Sequence, residues 1–389
     1  MRPRILAGFT LAAALLVGGC ADADPVGPDL PDATEALSAL ASAPFDAPPG
    51  SGYVFTSSNQ AGGNDILRFV RGSDGALTHD GTWSTGGLGT GGGLGNQGAV
   101  TLSGNGSWLL VVNAGSDDVS VFRTRPSLER TDVEGSGGIR PISVAIHRDL
   151  VYVLNAGEDE NVRGFRLDAS GDLHPIPGAS YGLSAPQVGS AQVGFSPDGE
   201  TLVVTEKATN RIVSFPVHAD GRLGSAEVDD AAGQTPFGFA FSRTGTLVVS
   251  EAFGGAPGVS TLSSYRVSGA AGLVEVSPGV ATTQTAACWV VISPDGRHAW
   301  TTNAGDGSIS LFRLGAQGEL TLADAQATLA PGTTPLDMGL SRGGRFLYVL
   351  NAGTGEIAGY AVDARGGLTA VDGGTVGGLP GGTNGLAVR

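Results

Sequence analysis

From residue 51 onward, apolar and polar positions recur in a fixed order. An apolar run leads into a Gly/Asn/Asp turn. A second run with alternating apolar and polar residues follows, and then a "DG-L" turn into a weaker third run. The pattern is plain in "GSWLLVVNAGSDDVSVFR" (106–123), "RDLVYVLNAGEDENVRGFR" (148–166) and "GETLVVTEKATNRIVSFPV" (199–217). It returns in segments beginning at 245, 296 and 344, and "GYVFTSSNQAGGNDILRFV" (52–70) is a seventh copy. A further apolar run precedes most copies, as in "AQVGFSPDG", "FGFAFSRTG", "CWVVISPDG" and "LDMGLSRGG". Alternation with period two predicts half-buried strands. The "SPDG"-type stretches predict tight turns, because Pro presets φ and Gly accepts φ above zero.

Four strands per unit, with unit starts about 40–55 residues apart, predict an all-β, seven-bladed β-propeller with four-stranded blades. The first copy lacks its preceding strand, and the chain ends "TNGLAVR". Residues 383–389 are therefore expected to supply the inner strand of the first blade and close the ring, which removes exposed sheet edges. The 65 glycines fit a chain made of many short strands and tight turns.

The "SPDGETLVVTE" style of blade with its "ADGRL" outer turn resembles the seven-bladed propeller lactonase family, which includes bacterial 6-phosphogluconolactonase-like and carboxymuconate cyclase-like proteins. The resemblance covers about residues 51–389. It implies a lactonase-like hydrolase or a cycloisomerase acting on a lactone or related small organic acid at the channel mouth. Active members of that family use a His, Arg and Glu constellation. Glu206 matches the acidic position and Arg140 stands for the arginine, but Ala191 and Gln192 occupy the place of the histidine. The five histidines, His79, His147, His174, His218 and His298, fall in outer strands or "SPDG"-side turns.

Alignment of the copies at the end of the second strand gives Asn113, Asn155, Glu206, Glu251, Asn303 and Asn351. Asn suits a turn. Glu206 and Glu251 break that rule in consecutive blades and are the candidate catalytic acids or bases, since two nearby carboxylates raise the pKa of one. Arg140 and Lys207, the chain's one lysine, are the candidate partners of a developing oxyanion. Gln192, Gln234, Gln284, Trp289, Asn303, Asn113 and Asn155 are the candidate substrate contacts. No cofactor is expected; the alternative is calcium in the channel, held by Asn and Glu oxygens. The Gly-rich "GGLGTGGGLGNQG" (86–98) reads as a flexible loop on the mouth, not a dinucleotide site, because no βαβ unit surrounds it.

The N-terminus modifies the picture of where the propeller works. "MRPRILAGFTLAAALLVGGC" has a basic start, an apolar run and small residues before Cys20, as in a lipoprotein signal peptide over 1–19. Cys20 is then lipidated, residues 20–50 form a tether, and the propeller is exported as a membrane-anchored domain facing the periplasm or cell exterior. With Cys20 acylated, Cys288 reads as an unpaired buried thiol. The formal charge of −15 becomes −17 without residues 1–19 (20 basic against 37 acidic), which argues against a nucleic-acid partner. A monomer is expected. The competing functional class is a non-catalytic ligand- or protein-binding propeller.

Overall fold

The computed structural model describes residues 50–268 and 272–389, and the signal peptide, Cys20 and nearly all of the tether lie outside them. The described residues form seven antiparallel sheets. Blade 1 runs from inside to outside as Asn384–Val388, Gly52–Ser57, Asp65–Arg71 and Leu77–Ser84. Blade 2 is Val100–Leu102, Trp108–Asn113, Asp118–Arg123 and Glu129–Gly135. Blade 3 is Pro141–His147, Leu150–Asn155, Asn161–Leu167 and Leu173–Gly182. Blade 4 is Ser190–Phe195, Thr201–Glu206, Arg211–Pro216 and Glu227–Asp230. Blade 5 is Pro236–Phe241, Thr246–Glu251, Thr261–Val267 and Leu273–Ala281. Blade 6 is Ala287–Ile292, His298–Asn303, Ser308–Leu314 and Leu320–Leu329. Blade 7 is Pro335–Leu340, Phe346–Asn351 and Glu356–Val362, whose outer neighbour is split into Leu368–Ala370 and Val376–Gly377.

The first strands of successive blades touch around the ring. The second strands carry the core. "TLVVTE", "TLVVSE" and "FLYVLN" are buried at every position, as expected of strands covered on both faces. Closure is as the terminal half-copy predicts. Asn384–Val388 pairs antiparallel with Gly52–Ser57, and Thr56 and Ser57 donate their hydroxyls to the carbonyls of Gly385 (2.6 Å) and Asn384 (3.0 Å).

A carboxyl group sits at this seam. Asp337, on the inner strand of blade 7, is buried and accepts the amides of Gly98, Leu386 and Met338, so it joins blades 7, 1 and the entrance to blade 2. Burial pushes its pKa up to about 7 against the opposing pull of those amides. A buried acid with a raised folded pKa contributes stability below the unfolded value and loses it as pH rises through the folded one. The protein is therefore expected to lose up to about 4 kcal/mol relative to Asp337→Asn between about pH 4 and pH 7. Chemical denaturation of both proteins across that range checks this; parallel curves would refute it.

Candidate functional site

Two loop sets meet on one face of the ring: the entrances to the inner strands and the turns leaving the second strands. They are tied blade by blade. The amide of Ala156 donates to the carbonyl of Arg140, and the amides of Ala252, Ala304 and Ala352 donate to those of Thr235, Ala286 and Thr334. All four accepting residues have φ between 46° and 57°, a left-handed backbone that non-glycine residues adopt at a cost. Acidic and amide side chains from the preceding blade hold some of these entrances. Asp117 accepts the amide of Arg140 (2.7 Å), Asn210 that of Thr235 (2.7 Å), and Glu160 those of Gly189 and Ser190 (2.9 and 2.8 Å). The sequence reading missed these rim caps. Their signal is a polar residue a few positions beyond the aligned Asn or Glu.

The aligned position proves to be a latch. Its side chain turns into the blade and fastens the connector that enters it. Asn155 donates to the carbonyl of Ser136 (3.2 Å). Asn113 donates to Ser120 (2.7 Å), whose hydroxyl donates to the carbonyl of Thr85 (2.8 Å). Asn303 donates to Ser308 (3.0 Å) and Ser310 (2.9 Å). Glu206 and Glu251 do the same work as acceptors. Glu206 takes the amide of Ser184 (2.9 Å) and the hydroxyls of Ser184 and Thr209. Glu251 takes the amide of Gly233 (2.9 Å) and the hydroxyl of Thr261. Asn113, Asn155 and Asn303 thus donate their side-chain amides within the protein. No group of three or more His, Cys, Asp or Glu gathers as a metal site among the described residues.

The Gly-rich stretch is also corrected. Far from being a loose flap, 86–98 is a fastened plug. Asn59 donates to the carbonyls of Gly92 (2.7 Å) and Gly382 (3.1 Å) and accepts the amide of Thr90 (3.0 Å). Lys207 Nζ donates to the carbonyl of Gly95 (2.5 Å) and lies 5.0 Å from the Phe237 ring centre. Asn96 donates to the carbonyl of Ile142 in blade 3. Gln97 crosses to blade 6, where its side-chain amide pairs with both the carbonyl (3.0 Å) and the amide (3.2 Å) of Val290, while its own amide donates to Ala191 of blade 4 (3.1 Å).

Other predicted contacts are internal as well. Gln192 pairs with both backbone groups of Phe239, joining blades 4 and 5. Gln284 is buried and accepts from Ser308 and Gln326. Trp289 packs edge-on against Phe237, and its indole N–H has no hydrogen-bond partner among the described residues. Cys288 is buried and disulfide-bonded, not the free thiol expected; the chain's other cysteine, Cys20, is outside the described residues.

One surface cleft on this face is lined by residues that fasten each of the candidate acids. It has a volume of about 420 Å³, lies between blades 4 and 5, and is lined by Thr209, Asn210, Asp230, Gly233, Gln234 and Phe253, among others. Thr209 fastens Glu206, and Gly233 fastens Glu251, so both carboxylates lie directly behind its wall. A Cβ on Gly233 would come within 2.5 Å of Glu251 Oε2, so the connector packs against that carboxylate too closely for any side chain there. Burial raises the Glu251 pKa, against the hydrogen bonds from Thr261, Ser263 and Gly233. Phe253 stands out. Four sister blades have glycine there (Gly115, Gly157, Gly305 and Gly353), and a side chain on Gly157 or Gly305 would collide with Ile139 or Thr285. Phe253 avoids this by taking φ 51° within a short 3-10 turn, which puts it into the cleft wall. Arg140 is exposed at the entrance to blade 3, and neither it nor Lys207 lines this cleft.

With fold and face in view, comparison with known proteins gives the family. The model of the seven-bladed β-propeller lactonase family matches residues 99–253 and 260–380. The chain belongs to that family. Among solved structures it is similar to a protein from Lactobacillus plantarum (18% identity, 87% of this chain and 99% of that one, TM-score 0.70). A candidate 6-phosphogluconolactonase from Bacteroides fragilis follows (18%, 89% and 100%, TM-score 0.67), as does the periplasmic gluconolactonase of Pseudomonas aeruginosa (18%, 87% and 99%, TM-score 0.65). At these identities the likeness shows the shared fold. No curated protein matches the chain.

Proposed function

We propose that this family member is a lactonase-like hydrolase that opens a small lactone in the blade 4–5 cleft. Glu251 is the general base and the exposed amide of Gln234 is the oxyanion donor. The observation that carries the reading is the buried carboxyl of Glu251, its pKa raised, fastened to the amide of Gly233, which lines that cleft. Glu251 is fully buried and does not itself line the cleft, so the step requires the Gly233 connector to shift and admit water. Glu251 then takes a proton from that water, the resulting hydroxide attacks the lactone carbonyl, the ring C–O bond breaks, and Glu251 returns the proton to the departing ring oxygen as the hydroxy acid forms. Gln234 replaces Arg140 and Lys207 in the oxyanion role because it lines the cleft and they do not. Turnover of a panel of sugar lactones and muconolactone, in wild type and Glu251→Gln, tests this. The cycloisomerase reading uses Glu251 in its protonated form as the acid: the muconate carboxylate oxygen adds to the double bond and Glu251 gives its proton to the adjacent carbon, so it would show as ring closure of a muconate in place of hydrolysis.

The fastened plug favours a second reading, a binding propeller that holds a lactone or organic acid without turning it over. Retained binding with no turnover on the panel would establish it.

The propeller is further proposed to be exported on a lipid at Cys20, as a monomer whose ligand is a small molecule. Lipidation uses the Cys20 sulfur as a thioether, so in the anchored protein Cys288, disulfide-bonded in the structure, would be a free thiol. Intact-mass measurement of membrane-extracted protein is expected to show a diacylglyceryl adduct and a mature chain starting at Cys20. An unmodified mass would refute the anchor.

A further inference from the structure

The blades are also sewn together on the face opposite the mouth. At the end of the third strand, an arginine reaches the outer turn of the next blade. Arg123 donates to the carbonyl of Ser170 (2.9 Å), Arg166 to that of Ala219 (3.3 Å) and Arg266 to that of Gln317 (2.8 Å). Blade 6 has its arginine in the same place, Arg313, but no hydrogen bond or ion pair holds it among the described residues. The reason lies in the receiving turn. Where sister turns carry Ser170, Asp220 and Gln317, blade 7 carries Arg365. Arg313 and Arg365 line the same gap, where like charges disfavour the latch.

The gap is a cleft of about 530 Å³ lined by Arg297, His298, Arg313, Glu319, Thr321 and Arg365, among others. Strand register sets His298, Arg313 and Thr321 side by side across three strands. The nearby acids are turned to their own turns. Asp363 accepts the amides of Arg365 (2.7 Å) and Gly367 (2.9 Å), Glu319 that of Gln317 (3.0 Å), and Asp295 that of Arg297 (3.1 Å). Arg297 approaches Asp295 only at 3.9 Å, with both side chains more than half exposed. Unlatched guanidinium forks thus converge in a chain of net charge −15.

We propose that this cleft between blades 6 and 7 binds a multiply charged oxyanion of the phosphate class, gripped by Arg313 and Arg365 and flanked by Arg297. Two planar forks suit an anion with several oxygens better than a single carboxylate. The bound anion completes the blade 6–7 junction that the missing latch leaves open. Its source is either a soluble phosphorylated metabolite or an anionic lipid headgroup.

Calorimetric titration of the full chain with pyrophosphate is the test, alongside sedimentation with phosphatidylglycerol and phosphatidylcholine vesicles. Both are repeated on Arg313→Gln/Arg365→Ser; both arginines are exposed, and Ser matches the residue of a sister turn. Pyrophosphate binding that weakens by about 10-fold or more in the double variant supports a soluble ligand. A preference for phosphatidylglycerol that the double variant loses, without pyrophosphate binding, supports a headgroup. Absence of both in wild type, or their survival in the double variant, overturns the proposal.

Discussion

Deletion of Asn384–Arg389 is expected to abolish folding, although it removes only six residues. Those residues are the inner strand of blade 1. They bury Leu386 and Ala387, and Arg389 exchanges backbone hydrogen bonds with Tyr53 (2.8 and 3.3 Å). They also supply one of the amides that Asp337 accepts, and Val388 fills the space beside Gly339. Loss of one buried Leu costs about 2–5 kcal/mol, and each orphaned buried polar group adds about 1–3 kcal/mol. Together these losses approach or exceed the roughly 5–15 kcal/mol that keeps a domain folded. The deletion also opens the Gly52–Ser57 edge of blade 1 to pairing with other chains. The truncated protein should give no cooperative thermal transition and should aggregate on expression. The strand pairs antiparallel with Gly52–Ser57, so a permuted chain that places 384–389 ahead of Gly52 through an Asn-Gly turn keeps every contact. Recovery of the transition in that chain shows that the strand matters and its position in sequence does not. A soluble, cooperatively melting truncation would refute closure as the source of stability.

The ring was legible because each blade repeats one pattern and the terminal half-copy leaves a single place for the last strand. The aligned exceptions Glu206 and Glu251 were legible as exceptions, but not in their role. Their partners, Ser184 and Gly233, sit in connectors that show no repeat, so the latch emerges only when strands and connectors are packed together. The plug was hidden for a different reason. Glycine-rich composition describes an unfolded chain's freedom, whereas its order comes from Asn59, Lys207, Val290 and Gly382, which are distant in sequence. Arg365 was visible in "DARGG" but meant nothing until the sister arginines were seen to cross between blades.

Replacement of Glu251 by Gln is expected to reduce lactone turnover by about 10²–10⁴-fold, the usual contribution of a positioned base. The fold should survive. Gln keeps a carbonyl oxygen for the Gly233 amide, and the Thr261 hydroxyl can rotate to accept from the new amide group. Wild-type kcat/KM should fall with acid as the base takes up a proton, with an apparent pKa above the ordinary carboxylate range because burial raises that of Glu251. Glu251→Gln should lose that acidic limb. Glu206→Gln is the control: it holds the same latch position in blade 4, with its own partners Ser184 and Thr209. A purely structural role predicts equal losses in both variants, in step with their melting temperatures. A selective loss in Glu251→Gln, with melting unchanged and the acidic limb gone, assigns the base. Unchanged turnover in Glu251→Gln removes Glu251 from the chemistry and leaves it as a latch.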